Sequence, residues 1–183
     1  MTHRFLKHGR RTIHFTVSFI LVLTICRSRA QDFFAGVRGG ASWDGAGDNG
    51  HFYQAEWFGG YNFRYRLEYS KWFLRPGVDA SVGWINNGDT SGFIGTIGPL
   101  VELGRGRFPI TVEAGAAPTI LSQQRFPSRD FGDNFQFTSH VGLNWRMTDH
   151  LTLGLRVQHM SNAGINRINP GLNMGFLSLK YIF

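Results

Sequence analysis

The stretch that decides the fold is LTLGLRVQHMS, residues Leu151–Ser161. Its odd positions are all aliphatic until the last two, whereas its even positions are mostly small or polar and include Arg156 and Gln158. Alternate side chains of a β-strand point to opposite faces of the sheet. The stretch therefore predicts an amphipathic strand whose apolar face ends in His159 and Ser161.

Seven further segments of about ten residues show the same alternation, so that eight strands are predicted. These segments lie near residues 33–43, 53–63, 72–84, 93–103, 110–120, 135–145 and 173–183. Each segment has one apolar face. Eight such strands form either a soluble sandwich of two sheets or a closed membrane barrel.

Three features favour the barrel. The polar faces carry charges in mid-strand, which a closed barrel can pair inside its lumen: Arg38, Glu56, Asp79, Glu102, Glu113 and Arg156. Aromatic residues at strand ends on the apolar faces are typical of interfacial girdles: Trp43, Trp57, Trp72, Trp84, Trp145 and Tyr181. The final strand ends in Phe183, which resembles the signal read by the barrel assembly machinery. The sequence thus predicts an all-β fold, an eight-stranded antiparallel outer-membrane β-barrel over residues 31–183.

Residues 1–30 have the features of a secretory signal peptide. They contain 6 of the 19 Lys and Arg residues and none of the 12 Asp and Glu residues, with an apolar run over 13–26 and small residues at Ser28 and Ala30. Cleavage after Ala30 leaves 13 basic and 12 acidic residues, a net charge of +1. The basic composition therefore does not indicate nucleic-acid binding. Because the single cysteine, Cys26, lies in this leader, the exported chain cannot form a disulfide.

The lengths of the connections predict which end of the barrel faces outward. Short connections are expected near 65–71, 104–107 and 147–150, and longer polar ones near 44–52, 121–134 and 162–172, with a compact turn at 86–91. Short turns of such barrels normally face the periplasm. With both termini at the periplasmic end, the seventh strand runs outward and Ser161 lies near the outer leaflet.

His159 and Ser161 form the candidate catalytic pair. They are two residues apart on one face of one strand, so their side chains project together. A serine hydroxyl becomes a good nucleophile when a neighbouring base takes its proton, and imidazole is the usual base near neutral pH. The residues alone leave two alternatives, a serine esterase acting on an outer-leaflet lipid and a strand end without catalytic function.

The run His159-Met160-Ser161-Asn162-Ala163-Gly164, followed by Asn169-Pro170-Gly171, resembles the signature of the lipid A 3-O-deacylase family. The resemblance covers about the last quarter of the chain. It implies an eight-stranded outer-membrane barrel that hydrolyses the ester-linked 3-hydroxyacyl chain at the 3-position of lipid A, with Ser161 as nucleophile and His159 as general base. It also implies oxyanion or substrate contacts from the 162–171 loop, for which the candidates are Asn162, Gly164 and Asn169.

Asn173 departs from the family pattern, because the family has at this position the glutamate that orients the histidine. An asparagine can accept a hydrogen bond from the ring but supplies no negative charge, and an Asp-to-Asn change in a Ser–His–Asp triad costs about 10⁴ in rate. Asn173 is therefore expected to complete a weakened site. The alternatives are an inactive homologue with a structural, adhesive or lipid-binding role, and a transacylase with the same nucleophile.

Other polar residues receive more ordinary interpretations. His140 and the mid-strand carboxylates are expected inside the lumen, where the acids pair with Arg38, Arg75 and Arg156. Arg125, Arg129 and Arg167 lie in outer loops, where they serve either solubility or the binding of lipid A phosphates. No cofactor and no metal is expected. The expected partners are lipopolysaccharide and outer-membrane lipid, and a homodimer is left open.

Overall fold

The computed structural model describes residues 32–43, 50–88 and 90–183. The predicted signal peptide and most of the first outer loop lie outside the described residues. Eight long strands form the main sheet, labelled in chain order β1 (Phe33–Ser42), β2 (Phe52–Asn62), β3 (Trp72–Asn87), β4 (Thr90–Arg105), β5 (Ile110–Leu121), β6 (Phe135–Arg146), β7 (Leu151–Ser161) and β8 (Leu172–Ile182).

The sheet closes on itself. Each strand pairs antiparallel with its neighbours in sequence, and β1 pairs with β8, with Phe34 opposite Ile182 and Ser42 opposite Met174. Closure satisfies the backbone groups that an open sheet edge would leave unpaired in lipid. The predicted eight-stranded antiparallel barrel is therefore confirmed. Strands β3 and β4 are longer than predicted, because their hairpin pairs without interruption as far as Asn87 and Thr90.

The outer surface of the barrel is apolar, as the strand alternation predicted. Large exposed side chains include Val82, Ile97, Leu155 and Leu177, each more than half exposed. Such a surface is stable in a lipid environment, and we therefore describe the chain as a transmembrane β-barrel. One aromatic prediction was wrong: Trp57 is outward-facing but lies in the middle of β2 rather than at its end.

The middle of the lumen is filled by paired charges. Arg38 contacts Glu56 and lies 3.6 Å from Asp79, and Arg156 lies 2.8 Å from Glu113 and 3.5 Å from Asp79. The predicted lumen ion pairs are thus confirmed, with Lys180 as an additional partner of Glu113 at 3.7 Å, and with Arg75 bonded to Glu102 at 2.9 Å. Buried charges are stable when they are paired in this way.

His140 also faces the lumen, as predicted. The position opposite is Gly115, where a Cβ atom would lie 2.5 Å from the imidazole Cε1, so the glycine makes room for the ring. Among the described residues the His140 Nε2 atom has no hydrogen-bond partner. The predicted location of His140 in the lumen is therefore confirmed.

The outer end of the lumen is apolar, which the sequence analysis did not predict. Inward-facing side chains from the strand ends form a buried cluster with two loop residues: Phe52, Ile85, Ile94, Leu121, Phe126, Phe131, Met160, Leu172, Met174 and Phe176. Phe126 and Phe131 come from the β5–β6 connection and pack on Phe52 with ring centroids 5.3 and 5.6 Å away. This connection is therefore anchored inside the barrel mouth.

The connections divide as predicted between the two ends of the barrel. The start of β1 and the end of β8 meet at the same end as the turns 106–109 and 147–150, where the Phe183 amide donates to the Phe33 carbonyl at 3.1 Å. The connections 122–134 and 162–171 lie at the opposite end. Among the described residues, no helix has the length and apolar character needed to cross a membrane.

Candidate functional site

The pairing of β7 with β8 places His159 directly opposite Asn173 on the outer face of the barrel. The His159 Nδ1 atom lies 2.8 Å from Asn173 Oδ1. An amide oxygen can only accept a hydrogen bond, so Nδ1 is the donor and carries the ring proton. The other ring nitrogen, Nε2, is then unprotonated in the neutral ring and has the lone pair that a general base requires.

Ser161 follows His159 by two residues at the end of β7 and projects from the same face. Its side chain is partly buried, whereas His159 is exposed on the barrel wall. In the described part of the chain the Ser161 hydroxyl makes no hydrogen bond with the ring. A serine Oγ atom moves between staggered positions by rotation about one side-chain bond. The proximity of the two groups therefore rests on their projection from the same face of β7.

Gly171 leaves room for the imidazole ring. Its φ of +65° lies in the left-handed region, which glycine adopts without steric cost. A Cβ atom at this position would lie 2.9 Å from His159 Cε1 and 3.6 Å from His159 Nε2. A side chain at position 171 would therefore clash with the edge of the ring that includes Nε2 and would displace the ring.

Arg129 connects this glycine to a second outer connection. Its guanidinium donates to the Gly171 carbonyl and lies 5.8 Å from the centre of the Phe52 ring in the apolar cluster. Arg129 belongs to the β5–β6 connection, whereas Gly171 ends the β7–β8 connection. The position of Gly171 beneath the histidine is therefore coupled to the cluster that fills the barrel mouth.

The 162–171 loop is organised around Asn162, which is fully buried. The Asn162 Nδ2 group donates to the carbonyls of Phe131 and Ile168 at 3.2 and 2.7 Å, and its Oδ1 accepts from the Gly164 amide at 3.0 Å. The Asn162 backbone amide donates to Asn169 Oδ1 at 3.0 Å. The three predicted oxyanion or substrate residues are therefore held close to one another, just after Ser161.

A second serine lies beside the histidine, and the sequence analysis missed it. Ser139 of β6 is directly opposite His159 on the side away from Asn173. Both residues line a groove of about 240 Å³ on the outer wall, together with Trp43, Val141, Val157 and Asn173. The alternation of side chains along β6 was sufficient to predict that Ser139 faces outward. That Ser139 lies opposite His159 depends on the register in which β6 and β7 pair, and the sequence does not specify this register.

The arginines of the outer loops have different surroundings. Arg125 pairs with Asp130 at 3.0 Å, and Arg129 contacts Gly171 as described, whereas Arg167 is exposed. The first two thus have structural contacts within the loops. Within the described ranges, no cluster of three or more His, Cys, Asp or Glu side chains is arranged to hold a metal ion.

The fold and the site together define a transmembrane β-barrel that carries a Ser–His–Asn arrangement on its outer wall. The model of the lipid A 3-O-deacylase (PagL) family matches residues 35–181, which is most of the chain. The chain therefore belongs to the lipid A 3-O-deacylase family.

Individual relatives agree with this assignment. The lipid A deacylase PagL of Bordetella bronchiseptica is 36% identical over 113 residues, and the match spans 60% of this chain and 62% of that protein. The crystal structure of the outer membrane enzyme PagL superposes with a TM-score of 0.67 at 19% identity, covering 82% of this chain and 99% of that one. The N-terminal β-barrel domain of Pseudomonas aeruginosa OprF gives a TM-score of 0.53 at 12% identity, covering 84% and 98%.

Proposed function

We propose that this chain is an outer-membrane serine esterase that hydrolyses the ester-linked 3-hydroxyacyl chain at the 3-position of lipid A. Family membership supports an ester hydrolase, and the apolar barrel wall supports a location in the membrane. One observation carries the proposal: the 2.8 Å contact between His159 Nδ1 and Asn173 Oδ1 leaves Nε2 as a base on the face that Ser161 shares.

The reaction would proceed in two steps. Ser161 Oγ attacks the ester carbonyl while His159 Nε2 takes the hydroxyl proton, and collapse of the tetrahedral intermediate returns that proton to the departing sugar oxygen. The acyl group is then bonded to Ser161. A water molecule, deprotonated by the same nitrogen, attacks this second ester and releases the free 3-hydroxy fatty acid, which regenerates the serine.

The oxyanion of each tetrahedral intermediate requires hydrogen-bond donors. Because the Asn162 side chain and the Gly164 amide are bonded within the loop, we assign these two residues the role of shaping it. Asn169 uses its Oδ1 as an acceptor for the Asn162 amide and keeps its Nδ2 group as a donor. Asn169 is therefore our candidate oxyanion donor.

Asn173 determines how efficient the site is. Its carbonyl oxygen selects the tautomer in which Nε2 is the base, which supports activity. It does not provide the negative charge that stabilises imidazolium, and the loss of such an acid costs about 10⁴ in a serine protease triad. We therefore propose a competent site that turns over more slowly than one with a carboxylate at position 173.

The proposal is tested by mass spectrometry of lipid A from cells that express the wild type, Ser161→Ala or Ser139→Ala. We expect the wild type and Ser139→Ala to remove one 3-hydroxyacyl chain and Ser161→Ala to remove none. Heat-modifiable migration on gels checks that all three barrels are folded. Unmodified lipid A with a folded wild type would favour the inactive lipid-binding homologue, and loss of activity only in Ser139→Ala would make Ser139 the nucleophile.

A further inference from the structure

We propose that the barrel binds the phosphate headgroup of an anionic glycerophospholipid at its periplasmic end, at a site separate from His159 and Ser161. The site lies between the β2–β3 and β4–β5 connections. The Gly106 amide donates to the Lys71 carbonyl at 2.7 Å, which holds the two connections side by side. The two connections line a surface pocket of about 460 Å³.

The pocket is strongly cationic. Its lining includes Lys71, Arg105 and Arg107, all exposed, and also Arg66, which pairs with Glu68. Within the described residues no salt bridge neutralises Lys71, Arg105 or Arg107. With one acid against four cations, the lining has a net charge of +3. Arginine and lysine are the side chains that bind phosphate oxygens, arginine with two parallel hydrogen bonds.

This charge is concentrated at one end of a nearly neutral barrel. The lumen contains four cations and four carboxylates. Of the other residues after position 30, six cations and three acids belong to the periplasmic connections and strand ends: Asp32, Arg64, Arg66, Glu68, Lys71, Arg105, Arg107, Arg146 and Asp149. Among the described residues, the outer connections contain three cations and two acids: Arg125, Arg129, Asp130, Asp133 and Arg167. The larger excess of positive charge thus faces the inner leaflet. Three of the six periplasmic cations, Lys71, Arg105 and Arg107, line the pocket, and none of these three forms a salt bridge within the described residues.

Aromatic side chains indicate that the ligand is a lipid rather than a soluble anion. Trp72 and Phe108 line the pocket and are about half exposed, and such residues lie at the headgroup level of membranes. The Arg105 guanidinium lies 5.7 Å from the Trp72 ring. Trp72 lies opposite Arg105 in the pairing of β3 with β4. Two residues further along the strands, Leu74 lies opposite Leu103, and these outward-facing side chains are the first of the apolar outer surface. A phosphate held by the cations would place its acyl chains along that wall.

The experiment compares lipid binding by two double variants, each of which removes two positive charges. The purified full barrel is titrated with phosphatidylglycerol and, separately, phosphatidylcholine, and bound lipid is counted by native mass spectrometry. The pocket variant is Arg105→Gln with Arg107→Gln. The control, Arg64→Gln with Arg146→Gln, also removes two cations from the same end of the barrel but outside this pocket; of these two, Arg64 pairs with Asp32 at 2.9 Å. Heat-modifiable migration verifies folding of each protein.

We expect phosphatidylglycerol to bind more tightly than phosphatidylcholine. Near a membrane surface each cation contributes roughly fivefold, so the pocket variant is expected to lose about 25-fold in phosphatidylglycerol affinity, and the control less than fivefold. Equal losses in the two variants, or no preference between the lipids, would overturn the proposal. Displacement of the lipid by millimolar inorganic phosphate would show that the pocket binds a soluble anion instead.

Discussion

Replacing Gly171 with alanine tests whether this glycine positions the candidate base. The new Cβ would lie 2.9 Å from His159 Cε1, whereas carbon atoms pack best at about 3.5 to 4.0 Å, so the ring must move by about 0.6 Å. A displacement of about 1 Å in a catalytic site can cost about 100-fold in rate. We therefore expect the rate of deacylation to fall about tenfold.

The alanine also introduces backbone strain, since a residue with a Cβ atom at a φ of +65° costs about 1 to 2 kcal/mol. Gly88→Ala is the matched control, because Gly88 has a φ of +60° and its Cβ would meet nothing within 4 Å. Both variants should lose similar stability in urea titrations of the purified barrel. Only Gly171→Ala should lose activity, measured as the time course of lipid A deacylation. Equal activities would refute the positioning role of Gly171.

Four other variants test the surroundings of the site. Asn173→Asp places a carboxylate oxygen near the position of Oδ1, 2.8 Å from His159 Nδ1, and Asn173→Glu introduces the residue that the family has at this position. We expect both variants to deacylate lipid A faster than the wild type. A lower rate in both would indicate an adapted triad that needs the amide. Arg129→Gln removes the guanidinium contact to the Gly171 carbonyl and should lower the rate several-fold; an unchanged rate would mean that the loop holds Gly171 without it. Phe131→Ala empties part of the apolar cluster and should lower the free energy of unfolding by about 3 to 5 kcal/mol; a loss below about 1 kcal/mol would show that the connection contributes little to the barrel.

Period-two alternation was sufficient to predict the eight long strands and the orientation of most side chains. The reason is that successive residues of a strand face lipid and lumen in turn, and lipid requires apolar side chains whereas the middle of the lumen contains charged ones. The same parity placed His159 and Asn173 on one face. Their 2.8 Å contact could not be read from parity, because it depends on the register in which β7 and β8 pair. That register also brings Ser139 to the opposite side of His159.

Features that depend on the loops were not predictable in this way. Met160 and Met174 have inward parity, which was visible in the sequence, yet the apolar cluster also needs Phe126 and Phe131 from a connection without periodic signal. Gly171 was part of the recognised motif, but the room that it leaves for the imidazole depends on a left-handed backbone conformation and a loop anchored by Asn162. Such contacts between segments distant in sequence arise only when the barrel has formed.

The apolar cluster at the barrel mouth also has a consequence for permeability. In the described part of the chain, ten buried hydrophobic side chains occupy the outer end of the lumen, next to the ion pairs in its middle. Ions and small hydrophilic solutes would have to displace tightly packed rings before reaching any polar surface. A bacterium could therefore carry many copies of such a barrel without weakening the barrier that its outer membrane presents to toxic solutes.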